Sequence, residues 1–302
     1  MAVFSMGSTV GSGFAFLLGG RLLDWLEGWD RSHITWLNGF ADWQLAFMFA
    51  GLPGLFLAIL IFRFAEPKRR GLLEVAPADV GQQLRATFAF LMSQRRLYFG
   101  IFLAIAATTA MSSGFIVWTP VYLIRHFELS PAQAAGHFGS IFVVAASLGV
   151  LAGGLLASRW QPRFGQQAYL RVMVLAMSGT LLSLLPLALG LTLPLTSLFI
   201  ALAVFFTQSL AGVSVASLQV VTPNEKRAQV SSYFLLFVNL LGYGSGAPLI
   251  AALGDFLLPE EAHLGLALAL AAVVLLPLAL LAVRVAWQPY KIARNFALEE
   301  MP

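Results

Sequence analysis

The sequence predicts an all-α, polytopic membrane protein with about eight transmembrane helices, and three observations lead to that class. Apolar residues make up 59% of the chain and charged residues only 11%, against about 25% charged in a soluble domain. The mean hydropathy is +0.83. The apolar residues come in runs of about 20, the length that crosses about 30 Å of hydrocarbon at 1.5 Å per residue. Long stretches of alternating hydrophobicity are absent, which argues against a barrel.

Eight helices are expected, at about 2–22, 44–64, 98–122, 137–157, 168–189, 194–219, 230–252 and 263–285. The first is Gly-rich, and Met1 to Val10 run into it without the basic segment and cleavage site of a signal peptide. The second is followed by a basic polar stretch, 65–96, that separates two apolar segments from six. Inside this linker Val80 to Leu91 are amphipathic, with Leu84, Phe88 and Leu91 on one face, and a helix lying on the membrane surface is expected. The chain thus divides into 1–64, the linker 65–96, a six-helix unit 97–286 and a tail 287–302.

The basic residues orient the spans. One set of loops carries Lys68, Arg69, Arg70, Arg85, Arg95 and Arg96, then Arg159, Arg163 and Arg171, then Lys226 and Arg227, and the tail adds Lys291 and Arg294. The opposite loops hold Arg21, Arg31 and Arg125 among acids such as Asp24, Glu27, Asp30, Asp42, Asp255, Glu260 and Glu261. This asymmetry places both termini and the linker in the cytoplasm. It also accounts for a pI near 9.7 without nucleic acid, because the charge sits in short loops. Cysteine is absent, which excludes disulfides and thiolate metal sites, and no metal or cofactor is expected.

A short internal repeat links the ends of the chain. Gly11-Ser12-Gly13, Gly19-Gly20 and Asp24 in the first span parallel Gly244-Ser245-Gly246 and Gly254-Asp255 in the seventh. The exits Phe64-Ala65-Glu66-Pro67-Lys68-Arg69 and Ala286-Trp287-Gln288-Pro289-Tyr290-Lys291 are also alike. Spans one and two therefore read as counterparts of seven and eight, as in a parallel repeat.

The residues that stand out each admit two readings. Gly7, Gly11, Gly13, Gly19 and Gly20 in span one, and Gly149, Gly153 and Gly154 in span four, allow helix backbones to approach closely. They serve either static packing or a smooth surface on which two bundles rock. Gly242, Gly244, Gly246 and Pro248 in span seven mark either a fixed kink or a hinge. Thr108, Thr109, Ser112 and Ser113 in span three, Gln208 and Ser209 in span six, and Asn239 in span seven are polar at membrane depth. They serve either interhelical hydrogen bonds or substrate contact. No Asp, Glu, Lys or Arg lies near the centre of a span, where it would cost about 2.5–3.5 kcal/mol, so no coupling carboxylate is expected here. His126 and His137 read as interfacial. No H-E-x-x-H, Gly-rich phosphate loop or intramembrane carboxylate pair is present, so catalysis is not expected.

These residues resemble the major facilitator superfamily, and among its members the spinster-like bacterial branch. "DWQLAFMFAGLPGLFLAILIFRFAEPKRRG" is similar to that family's sixth helix and its exit into the central loop. "VTPNEKRAQVSSYFLLFVNLLGYGSGAP" is similar to the approach to helix eleven, with Pro223 and Arg227 ahead of Asn239, Gly242, Gly246 and Pro248. "GGLLASRWQPR" resembles the second copy of the family's loop signature: Gly154, Arg159 and Arg163 match, while Ser158 stands where the acid belongs. The resemblance aligns the chain to helices five to twelve of a twelve-helix carrier.

The resemblance implies a secondary carrier of a small organic solute, working by alternating access between two bundles about a midplane cavity. By the same analogy spans one, three, four, six and seven line the cavity or the bundle interface, and spans five and eight face lipid. Thr108, Thr109, Ser112, Ser113, Gln208 and Asn239 become cavity candidates. Gly242, Gly246, Pro248, Gly154, Arg159 and Arg163 become gating candidates, and Gly7, Gly11, Gly13, Gly149 and Gly153 interface candidates. Spinster-like relatives are associated with lysolipids and sphingoid lipids, and neighbouring families with sugar acids. The expected partners are the lipid bilayer of a bacterial inner membrane, the solute, and the first four helices of a full-length chain. The alternative is a truncated or scaffold membrane protein that carries nothing.

Overall fold

The computed structural model describes residues 2–29, 39–63, 80–257 and 264–299. Eleven α-helices run in order among them: α1 (Ala2–Glu27), α2 (Asp42–Ile61), α3 (Val80–Ser93), α4 (Arg95–Phe127), α5 (Pro131–Phe164), α6 (Gln167–Leu184), α7 (Leu193–Gln208), α8 (Ala211–Gln219), α9 (Arg227–Phe237), α10 (Gly244–Leu257) and α11 (Leu264–Glu299). A 3-10 turn, Leu185–Leu189, extends α6; another, Asn224–Lys226, precedes α9; and a π-helical segment, Val238–Tyr243, joins α9 to α10. Among the described residues seven segments are long and apolar enough to cross a membrane, and they coincide with predicted spans two to eight. The first predicted span is the 26-residue α1.

Helix boundaries follow local chemistry. Ser130 caps α5, its hydroxyl accepting from the Gln133 N–H at 3.2 Å while Gln133 Oε1 accepts from the Ser130 N–H at 2.9 Å, and Pro131 takes the first turn. Glu128, at φ 55°, ends α4 in the left-handed region. Spans three, four, seven and eight are longer than expected, at 33, 34, 32 and 29 residues. α11 continues through the expected bundle–tail boundary at 286–287 to Glu299. Tyr290, placed in the tail by sequence, is buried and donates to the Ser217 carbonyl at 3.0 Å. The second-span exit from Phe64 onward, Asp30, Arg31, Glu260 and Glu261 fall outside the described residues.

α4 is the centre of the six-helix unit. Its most apolar window is 67% buried, against 6% for α2. Two apolar clusters stack along it. One joins Leu97–Ala107 to Met173 and Met177 of α6, Phe234 of α9 and Ala279–Tyr290 of α11. The other joins Met111–Leu123 to Phe138 and Phe142 of α5, Ile200 and Val204 of α7 and Leu268–Leu276 of α11. α11 shows both sides of its lattice: Leu268, Ala272, Ala279, Val283 and Ala286 are buried, and Val274, Leu278, Leu281 and Val285 are exposed. Spacings of three and four put each set on one stripe, and an exposed apolar stripe in a span faces lipid. Gly100 lets α4 and α11 meet, since a Cβ there would lie 2.9 Å from both the Ala282 oxygen and the Ala286 Cβ.

α1 and α2 form a smaller pair. Leu26 and Leu45 are buried between them beside Leu22, Ala46 and Phe49, and Trp25 stacks on Trp29 at 4.9 Å. Most of α2 is exposed, including Phe47, Leu55, Phe56, Ile59 and Ile61.

The linker helix α3 is docked rather than lying only on a surface. Thr87 and Leu91 are buried while Leu84 and Phe88 remain about half exposed. Gln229 of α9 holds it, accepting from the Thr87 hydroxyl and donating to Gln83 Oε1 at 3.1 Å. The Tyr233 hydroxyl donates to the Leu84 carbonyl at 3.2 Å, and Lys226 lies 4.2 Å from the Phe90 ring centroid. Substituting Gly100→Leu should therefore lower stability in detergent by about 1–3 kcal/mol through overpacking. Gly54→Leu, where no atom lies within 4 Å, should leave thermal unfolding unchanged.

Candidate functional site

The singled-out residues fall into three contacts between helices. The first joins α1 to α5 and is built from small residues on both sides. A Cβ on Gly13 would collide with Val143, one on Gly139 would lie 2.9 Å from Phe16 Cβ and 3.0 Å from the Leu17 nitrogen, and one on Gly20 would lie 3.2 Å from Ala135 Cβ. Phe16 fills the remaining space, its ring edge-on to Phe138 at 5.1 Å and 6.2 Å from Phe142. Gly13, Phe16, Leu17 and Gly20 recur at three- and four-residue spacing, as do Ala135, Gly139 and Val143, so each set forms one helix face. Of the expected interface glycines only Gly13 lies in this seam. Gly7 and Gly11 are exposed with no atom within 4 Å.

Gly149 and Gly153 serve a different contact, inside the six-helix unit. A Cβ on Gly149 would collide with the Phe205 carbonyl, and one on Gly153 with the Ser209 carbonyl. These carbonyls lie where α7 gives way to α8, so the glycines of α5 accommodate the break in predicted span six. Gln208 is half-buried at this break, and Ser209 is buried with its hydroxyl donating to the Phe206 carbonyl at 2.6 Å. Gly154 is half-buried next to them, and the Ser158 hydroxyl donates to its carbonyl at 3.0 Å. Ser158, standing where the loop signature has its acid, is thus turned onto its own helix. Arg159 and Arg163 are exposed at the end of α5, with Arg163 5.3 Å from the Phe164 ring centroid.

The third contact is between α4 and the π segment with α10. A Cβ on Gly242 would lie 2.9 Å from Thr109 Cβ, and one on Gly246 would collide with the Ala110 carbonyl and the Ser113 hydroxyl. A Cβ on Gly114 would lie 2.7 Å from the Gly246 oxygen. Trp118 Nε1 donates to the Ala247 carbonyl at 2.9 Å, beside Pro248, which stays within the helix. In the π segment the Gly244 N–H reaches back five residues to the Asn239 oxygen. Asn239 Nδ2 donates to the Leu235 carbonyl at 2.7 Å. π segments concentrate at functional sites in helical proteins.

Most of the polar candidates bond to their own helix. Thr108 is buried and donates to the Ala104 carbonyl at 2.8 Å; Ser113 donates to the Ala110 carbonyl at 3.2 Å. Thr109, Ser112 and Ser113 are half-buried on α4, and Asn239 is exposed. The interhelical polar contacts are made elsewhere. Thr180 and Thr207 meet at 3.4 Å, His137 and Ser197 at 2.7 Å, and Tyr98 and Thr222 at 3.2 Å. Among the described residues no group of three His, Cys, Asp or Glu is placed to hold a metal.

A family model of the Major Facilitator Superfamily matches residues 1–247. The chain belongs to that superfamily of membrane transporters. No curated protein matches it. Two solved structures share its fold, both of a bacterial homolog to the human lysosomal transporter Spinster in an inward-facing conformation. The unoccupied form is 19% identical with a TM-score of 0.62, covering 98% of this chain and 70% of that one. The occupied form is 19% identical with a TM-score of 0.59, covering 99% and 69%. The superfamily is normally non-enzymatic.

The contact between Gly246 and α4 yields a direct test. Gly246→Val should force α10 away from α4, lowering stability by about 1–3 kcal/mol and speeding amide exchange across 238–247. Ser232→Ala, an exposed hydroxyl that donates within α9, should change stability by less than about 0.5 kcal/mol.

Proposed function

We propose that this chain acts as a secondary carrier of a small organic solute, moving it by alternating access across a bacterial inner membrane with both termini in the cytoplasm. The α1–α5 seam carries this reading. It joins the α1–α2 pair to the six-helix unit through Gly13, Gly20 and Gly139 against small or aromatic apolar partners. Such a surface lets two bundles change angle without breaking charged contacts. The break between α7 and α8 and the π segment between α9 and α10 support the same reading, because discontinuous helices near the midplane are where secondary carriers hold their substrates.

Under this reading Thr109, Ser112, Ser113, Gln208 and Asn239, none of them fully buried, are the side chains that remain available to solute. Gly242, Gly246 and Pro248 with the π segment form the bending element. The exposed apolar surface of α2 would then pack against the first four helices of a full-length carrier as well as lipid. An amphipathic solute suits this set, which offers hydroxyls and amides without a charged group.

The absence of native cysteine makes the seam testable by one introduced pair. Gly20→Cys with Ala135→Cys places two Cβ atoms about 3.2 Å apart, close to the 3.5–4.5 Å of natural disulfides. In proteoliposomes, labelled lysophospholipid or a labelled sugar acid should enter faster than into empty liposomes. Oxidation of the pair should abolish that flux, and a reductant should restore it. Flux unaffected by the cross-link would refute rocking at this seam, and no flux from the unmodified chain with either solute would favour the non-transporting scaffold.

A further inference from the structure

A cavity of about 610 Å³ lies between α6 and α11, lined by Val174, Leu280, Val283, Arg284, Trp287 and Gln288. None of these belongs to the three contacts of the candidate site. Arg171 of α6 stands behind Trp287 of that lining, its guanidinium carbon 5.8 Å from the Trp287 ring centroid and 3.9 Å from that of Phe164. Ring faces stabilise a cation but accept nothing from its in-plane N–H groups. The Arg171 Nε is buried and has no hydrogen-bond partner, a rare condition that calls for a physical cause. Among the described residues neither Arg171 nor Arg284 is paired with a carboxylate, and α6 carries no acid at all.

The cavity lies toward the C-terminal end of the last span. Arg284 follows Leu264 by twenty residues in one continuous helix, about 30 Å at 1.5 Å per residue, which is the hydrocarbon thickness. Trp287, one turn on, stands where aromatic residues mark the membrane boundary. Val174, Leu280 and Val283 form apolar walls on the side toward the membrane centre, beside the exposed stripe of Leu278, Leu281 and Val285.

We propose that this cavity is a binding site for an anionic phospholipid, with its phosphate held by Arg171 and Arg284 and its upper acyl chain against Val174, Leu280 and Val283. Two guanidiniums without a counter-charge select a headgroup that carries net negative charge, since a zwitterionic one brings its own competing cation. The apolar walls select a lipid over a soluble anion. Basic cavities between transmembrane helices at the membrane boundary have the chemistry to bind such headgroups.

The test is native mass spectrometry of the full chain released from micelles containing equimolar phosphatidylglycerol and phosphatidylcholine. One phosphatidylglycerol should be retained in preference to phosphatidylcholine. Arg171→Gln with Arg284→Gln should reduce that preference by about fivefold for each arginine, and Val174→Trp, which fills the cavity from a half-buried position and keeps both charges, should also remove it. Arg95→Gln with Arg96→Gln, exposed cations at the start of α4, should retain it. Thermal unfolding in lipid-free detergent identifies any variant that fails to fold, in which case the remaining variant decides. No preference in the unsubstituted chain, undiminished preference after cavity filling, equal losses in the Arg95/Arg96 control, or displacement of the lipid by inorganic phosphate would overturn the site.

Discussion

Helices already in hydrocarbon gain no hydrophobic free energy by touching one another, so what holds them together must come from close packing and a few polar bonds. The fold depends on that constraint. Gly100 admits Ala282 and Ala286, Gly149 and Gly153 admit the backbone of α7, and Gly246 admits Ala110 and Ser113. Each removes a side chain so that the neighbouring helix can approach within van der Waals contact of the backbone. The large side chains then fill the space between these points, with Tyr98, Phe102, Phe115 and Phe138 buried along the axis of the unit. Dispersion gained over many such atoms replaces the solvent term that would stabilise a soluble core.

The same constraint groups the spans around α4 and joins a further helix pair to them along one face of α1. The other five spans of the unit gather around α4, and hydroxyl pairs such as Thr180 with Thr207 tie neighbours together. α1 meets this unit along one seam, and α2 reaches it chiefly through α1. α3 occupies the base, where Gln229 and Tyr233 fasten it to the start of α9. The linker is therefore anchored to the six-helix unit next to the π segment, so a change of angle in α9 would be felt by the helix that leads back toward α2.

The number and order of the spans were legible because apolar runs of about twenty residues, in a chain with 11% charge, have the length and composition of membrane helices. Packing partners were not, because a glycine in sequence carries no direction. Gly13 and Gly149 look alike on paper, yet one faces α5 from α1 and the other faces α7 from α5. The break at Ser209 has no proline to announce it, and its carbonyl packs against Gly153, where a Cβ would collide with it. Asn239 was visible as an amide at membrane depth, but the π segment in which it sits is not revealed by periodicity. Gly139 was missed in a segment whose other glycines drew attention. Arg284 was missed because it sits at the end of a span, where a cation reads as ordinary topogenic charge.

The central claim is that the α1–α2 pair and the six-helix unit are two bodies that change angle about a seam of small residues. Spin labels at Phe62, exposed at the end of α2, and at Arg159, exposed near the end of α5, would report the distance between them in lipid nanodiscs. Pulsed dipolar spectroscopy should resolve two distance populations whose ratio shifts when solute is added. A single narrow distance, unchanged by solute, would contradict the account.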